Sequence, residues 1–196
     1  MVARRADGRP APRRPRAGRG WFALTGTPGT GKSTVARLLG PGIGVEEVGA
    51  RALATGAGRR MGPGVEVDLG RLARSVRGTP VPPQVVVGHL AHLLPIRRTI
   101  VLRCHPVELG RRLARARRGT AADRRANAVA EATDLILLEA TRLGRSVIEI
   151  DTTRRAPASV ARAIRAWVLG GRPPRTPRID WLADPEVPAY LLGGAR

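Results

Sequence analysis

Apolar residues in this chain come in two rhythms. Trp21-Phe22-Ala23-Leu24-Thr25 is a short run of the kind that forms a buried strand, and β-type runs recur at Val85-Val86-Val87, Thr99-Ile100-Val101-Leu102 and Val147-Ile148-Glu149-Ile150. Between them lie stretches with helical spacing: Ser33 to Leu39, which Gly40-Pro41 stops, then Leu69 to Val76, Val107 to Arg115, Ala126 to Leu143 and Ser159 to Leu169. In the stretch from Ala126 to Leu143, Val129, Thr133, Ile136, Ala140 and Leu143 recur at three- and four-residue steps, which predicts one long helix with a single buried stripe and with Glu131, Asp134 and Arg142 off it. Strands alternating with helices predict a parallel sheet.

The pattern fails in four places. Residues 1–20 have no hydrophobic periodicity and read as a disordered basic arm. Residues 56–64 and 117–123 read as loops. After Gly170 the proline-rich segment 171–196 reads as an extended tail that packs on the domain through Ile179, Trp181 and Leu191. The folded unit is expected over residues 21–170.

At 196 residues and 20.9 kDa the chain has length for one core and little more. Cys104 is its only cysteine, so intramolecular disulfides and cysteine-based zinc clusters are excluded. No apolar run approaches the length of a membrane helix and no secretory signal is visible, so a soluble cytoplasmic protein is expected. Charge changes the picture most. Lys and Arg number 35 against 15 Asp and Glu, a net +20, with +6 in residues 1–20 and the remaining +14 in the rest. Either a polyanionic partner or an arginine-rich compositional bias accounts for it. Five scattered aromatic residues are too few for a platform that stacks single-stranded bases, so contact with RNA would run through phosphates.

Gly26-Thr27-Pro28-Gly29-Thr30-Gly31-Lys32-Ser33 matches the phosphate-binding pattern G-x-x-x-x-G-K-[ST] at every fixed position, after a predicted strand and before a predicted helix. With this composition, chance supplies such a match roughly once in a thousand sequences. The glycines let consecutive backbone N–H groups face one concavity, and the helix beginning near Gly31 adds its positive end. Gly29, Thr30, Gly31, Lys32, Ser33 and Thr34 are therefore the candidate ATP-binding residues: Lys32 toward the β- and γ-phosphates, the Ser33 hydroxyl toward magnesium, Thr34 toward the α-phosphate. Lys32 is also the sole lysine, beside 34 arginines, and a flexible ammonium fits a tight anion nest where a planar guanidinium is too wide. With no second lysine, the Asn-Lys-x-Asp base-reading motif of GTPases is excluded.

The P-loop string is followed in order by Val87-Gly88-His89-Leu90-Ala91-His92-Leu93-Leu94-Pro95, Leu102-Arg103-Cys104-His105-Pro106, Asn127-Ala128-Val129-Ala130-Glu131-Ala132 and Glu149-Ile150-Asp151-Thr152-Thr153. This series resembles the archaeal and eukaryotic atypical adenylate kinases, the adenylate kinase isoenzyme 6 family, over about residues 21–182. The resemblance implies transfer of the γ-phosphate of ATP to AMP or another nucleoside monophosphate, an ATPase activity, and a part in small ribosomal subunit maturation through contact with a small-subunit ribosomal protein, with rRNA reached through the basic surface and arm. It places an NMP-binding region at about residues 45–68, with Arg51, Arg59 and Arg60 available for an α-phosphate, and a lid at about 117–127. Arg117 and Arg118 both precede Gly119 as the family's lid arginine precedes its glycine, and register does not choose between them. His89 matches the family's histidine beside the nucleotide or is a packing residue; His92 and His105 read as structural.

One position departs from the family. Where a carboxylate usually stands two residues before that histidine, this chain has Val87, leaving the magnesium shell without its partner at that strand end. Asp68 is placed either to compensate or to cap the helix from Leu69. The expectation is thus a three-layer α/β P-loop fold of NMP-kinase type, with a parallel sheet of about five strands, helices on both faces and a short lid. It is expected to carry ATP and magnesium, and to act as an adenylate-type kinase or, alternatively, as a nucleotide-binding assembly factor with weak or no kinase activity.

Overall fold

A computed structural model describes residues 18–62, 64–175 and 178–193. Most of the expected arm, residues 1–17, lies outside the described residues. Gly18 and Gly20 are already buried, and Gly20 exchanges backbone hydrogen bonds with Pro80 and Gln84, so the folded region begins a few residues before Trp21.

In chain order the elements are β1 (Trp21–Thr25), α1 (Lys32–Arg37), β2 (Gly44–Glu47), α2 (Val48–Ala54), β3 (Gly58–Met61), β4 (Gly64–Val67), α3 (Leu69–Ala73), β5 (Gln84–Val87), β6 (Arg98–Arg103), α4 (Pro106–Arg115), α5 (Ala121–Ala132), α6 (Leu135–Arg142), β7 (Ser146–Asp151), α7 (Pro157–Val168) and α8 (Glu186–Leu191). Five strands form one parallel sheet in the order β2-β5-β1-β6-β7. The apolar runs found in the sequence are its β1, β5, β6 and β7. Strands β1, β5 and β6 lack alternation because helices cover both sheet faces. On one face Phe22, Leu24, Val85, Val87, Ile100 and Leu102 pack on α1 and α7, with Phe22 edge-on to Trp167. On the other, Ala23 and Val86 meet Val48 and Ala52 of α2, Leu72 of α3 and the turn carrying Ala91 and Leu94.

The predicted helix Ala126 to Leu143 is two helices. Asp134 adopts a left-handed conformation, φ 58°, between α5 and α6. The break shifts the phase of the stripe: Val129 and Leu143 are exposed at 41% and 45%, while Ala128, Glu131 and Ala132 face inward. Residues 56–64, expected as a loop, hold most of the antiparallel hairpin β3–β4, with Arg59 opposite Glu66. In the expected lid, α5 starts at Ala121, capped by Thr120, whose side chain accepts from the Asp123 N–H while Asp123 accepts from the Thr120 N–H. The tail is not wholly extended: α8 anchors it through Val187, which is fully buried, and Tyr190 comes against Gly110 of α4.

Candidate active site

The turn from β1 into α1 is made by residues 26–31. Gly26 has φ 138°, and a Cβ there would stand 2.3 Å from the Leu102 carbonyl oxygen, so only glycine lets this turn pass β6. Gly31, φ 93°, is the N-cap of α1. Thr30 closes the loop by donating its hydroxyl to the Thr27 carbonyl at 2.9 Å, and the Thr152 hydroxyl, at the end of β7, donates to the Thr30 carbonyl at 3.0 Å. The Lys32 ammonium donates to the carbonyls of Gly26 at 2.7 Å and Thr27 at 3.1 Å. Burial lowers its pKa from 10.5 to about 8, against the opposing pull of the Glu131 and Glu47 carboxylates.

This loop floors a cleft of about 450 Å³ beyond the carboxyl ends of the strands, where ligands sit in open parallel sheets. Gly29, Gly31, Lys32, Ser33 and Thr34 line it, with Glu47, His89, Arg112 and Arg118. The remaining loop candidate, Thr30, is fully buried, and its hydroxyl holds the loop's shape. His89 follows β5, and burial, reinforced by the Lys32 and His92 charges, lowers its pKa below the ordinary imidazole value, so it faces the cleft neutral.

The two candidate lid arginines are placed differently. Both follow α4, where the Arg117 and Arg118 N–H groups close its last turn onto the Ala114 and Leu113 carbonyls. Arg117 takes the left-handed conformation, φ 50°; Arg118 lines the cleft and Arg117 does not.

The other candidates lie elsewhere in the fold. Of the two readings of Asp68 the structure shows the cap: its carboxylate accepts from the Arg71 N–H at 2.9 Å at the start of α3. Arg51 is consumed structurally by Glu46 at 2.6 Å and by Ser75, and stacks over Trp21. Arg59 pairs with Glu66 on the hairpin, and neither it nor Arg60 lines the cleft. His92 is structural, as expected, held between the Thr25 hydroxyl and Glu139 at 3.1 and 2.8 Å. His105 faces Asp184 at 3.3 Å, away from the phosphate loop.

Two groups were missed in the sequence. Glu47, at the end of β2, accepts the Ser33 hydroxyl at 2.9 Å and lies directly across the sheet from Val87. Nothing in its spacing marks it, since the pairing of β2 with β5 is what brings it to the cleft. The second is Glu131, which accepts from the Thr27 hydroxyl at 2.5 Å, from the Cys104 N–H at 3.1 Å and from the Trp181 indole at 3.2 Å. Glu131 also takes Arg103 Nε at 2.7 Å, and that guanidinium, 1% exposed, reaches Glu149 at 2.8 Å and Asp134 as well. Burial disfavours the Arg103 charge, but the Glu131 and Asp134 carboxylates outweigh it and hold its pKa above the ordinary value. A charged residue in the interior, as Arg103 is, signals such a cluster, yet a one-helix reading of residues 126–143 turned Glu131 outward.

Fold and cleft together define a P-loop NTPase of the kinase type, with a nucleotide-sized anion cradle at the sheet's switch point. Residues 23–134 match the family model described as an AAA domain. The chain is 39% identical over 179 residues to "Putative adenylate kinase" of Pyrococcus abyssi, covering 88% of this chain and 98% of that one, and 40% identical over 179 residues to the protein of the same description from Pyrococcus furiosus, with the same coverage. It belongs to the atypical adenylate kinase family. Among solved structures, the shikimate kinase of Acinetobacter baumannii in complex with shikimate superposes with a TM-score of 0.51 at 17% identity, over 76% of this chain and 93% of that one, a likeness of fold. Kinship of this kind makes the chain a nucleotide kinase, a phosphotransferase. Among the described residues no helix is long and apolar enough to cross a membrane.

Proposed function

We propose that this protein transfers the γ-phosphate of ATP to AMP, with hydrolysis of ATP as its slower side reaction. The observation that carries the reading is the meeting of the Lys32 loop with Arg118 in one cleft, in a chain whose relatives bear the adenylate kinase description. The loop amides and Lys32 hold the β- and γ-phosphates, Thr34 the α-phosphate, and the Arg118 guanidinium spreads charge from the transferring group; positioning and electrostatics supply most of such catalysis. Neutral His89 orients water at the cleft wall. Magnesium fits the donor set of the Ser33 hydroxyl with a carboxylate nearby, and when bound supplies charge neutralisation between the phosphates.

A coupled ADP-release assay tests the reading: AMP should stimulate turnover well above basal hydrolysis. Basal hydrolysis without AMP stimulation would favour the alternative, an assembly factor that binds ATP. The net charge of +20 supports the ribosomal role that the resemblance implies, with phosphate contacts to rRNA beside a small-subunit protein partner in the cytoplasm. Arg118→Ala should lower kcat about 100-fold and Arg117→Ala should leave it within about twofold, the loss of one transition-state donor against the loss of a surface charge. Equal losses from both would place the lid arginine elsewhere.

The pH dependence follows from Lys32. Its ammonium has a pKa of about 8 in the free protein, and a bound triphosphate favours the charged form. Binding above pH 8 therefore takes up a proton, and ATP affinity should be about tenfold weaker at pH 9 than at pH 7.5. Titration calorimetry in buffers of different ionisation enthalpy should read this uptake directly; release of protons at pH 9, or a flat affinity, would contradict the assignment.

A further inference from the structure

The shortage at Val87 and the placement of Glu47 are two sides of one arrangement. Val87 is completely buried at the carboxyl end of β5, so the usual strand end offers the cleft no carboxylate. Strand β2 lies beside β5 in parallel register, with Glu47 paired to Val87, and Glu47 is the first residue of the turn into α2. Its carboxylate therefore reaches the cleft at the same depth as a side chain on the last residue of β5 would, one strand further out. It accepts the Ser33 hydroxyl at 2.9 Å. A hydroxyl that donates its proton to a carboxylate turns its lone pairs away from that bond and toward the cleft, as a hard cation requires. Glu47 also lines the cleft exposed to solvent, so its remaining oxygen is free to accept from a water of the magnesium shell.

We propose that Glu47 has taken over the magnesium-positioning role lost at Val87: a carboxylate moved from β5 to β2 that orients Ser33 and holds the outer magnesium shell. The inference rests on the nucleotide-binding reading of the same cleft. It makes Glu47 a positioning residue, acting through Ser33 and through water. It also explains how a chain without the usual acid keeps the rest of the phosphate-binding loop intact. Asp68 is excluded from this role by its cap on α3, and Glu46, which points the other way along β2, is engaged with Arg51.

Calorimetry of the full chain with ATP, once with excess EDTA and once with excess magnesium, gives the gain in affinity that the metal confers. In the wild type that gain should be present. Glu47→Gln should cut it about 10- to 100-fold, the usual cost of removing an outer-shell partner, while leaving affinity in EDTA unchanged or slightly tighter, since a negative charge facing the phosphates has gone. Glu47→Asp should recover part of the gain. The position is exposed, so the variants should fold, which circular dichroism would verify. If Glu47→Gln weakens ATP equally with and without magnesium, or changes neither, the proposal is overturned while the nucleotide reading stands. If the wild type binds no ATP under either condition, both fall together.

Discussion

Lys32→Ala should reduce kcat/KM for ATP about 1000-fold, at the upper end of what one preorganised charged donor supplies to a phosphoryl transition state. The size follows from how little else in the loop carries charge. Lys32 is the sole lysine, and its ammonium is held by the Gly26 and Thr27 carbonyls at the mouth of the nest, where the phosphates would replace those carbonyls as its partners. Lys32→Arg should not rescue activity, because the planar guanidinium is too wide for a turn this close to β6. Stability should barely change, since burial already taxes the ammonium, and thermal melting of the variant checks that the loss is chemical. Retention of a tenth of wild-type kcat/KM would refute the assignment.

Arg103→Ala should be the most destabilising single substitution in the chain, by about 3–5 kcal/mol. The alanine would leave Glu131, 3% exposed, as a buried carboxylate without its cation. In a domain of this size such a loss lowers the melting temperature by about 2–4 °C for each kcal/mol. Replacing the whole cluster by apolar residues, often harmless for buried ion pairs, should fail here. Glu131 also accepts from Thr27, the Cys104 N–H and Trp181, and those donors would lose their partner. Arg103→Met/Glu131→Met should therefore be no more stable than Arg103→Ala. A drop below about 1 kcal/mol in urea unfolding of Arg103→Ala would show that the cluster is dispensable.

The parts of this molecule that local pattern specifies are legible in its sequence. A buried strand on either side of the core carries an apolar run long enough to be seen, and the phosphate loop is a contiguous string whose glycines and lysine each have a local reason to be there. What stayed hidden depends on partners distant in sequence. Glu47 gains meaning only when β2 pairs with β5, and Glu131 only when Arg103 is found beneath it. The single helix expected over 126–143 failed because Asp134, which bonds to Arg103, takes a left-handed turn that a periodicity count treats as one more helical residue. The short helix α8 was hidden by the prolines around it, two of which, Pro185 and Pro188, are accommodated at its N-cap and first turn, where a missing N–H costs least.

The solitary amine in the phosphate loop has a practical corollary. Carbon-13 reductive methylation would place one side-chain label in the whole molecule, directly at the mouth of the cleft. With its pKa near 8 that amine is a far better nucleophile at neutral pH than a solvent-bathed lysine, so it should react under mild conditions. One side-chain methyl signal, read beside that of the α-amino group, would then report occupancy, protonation and exchange of the bound phosphates.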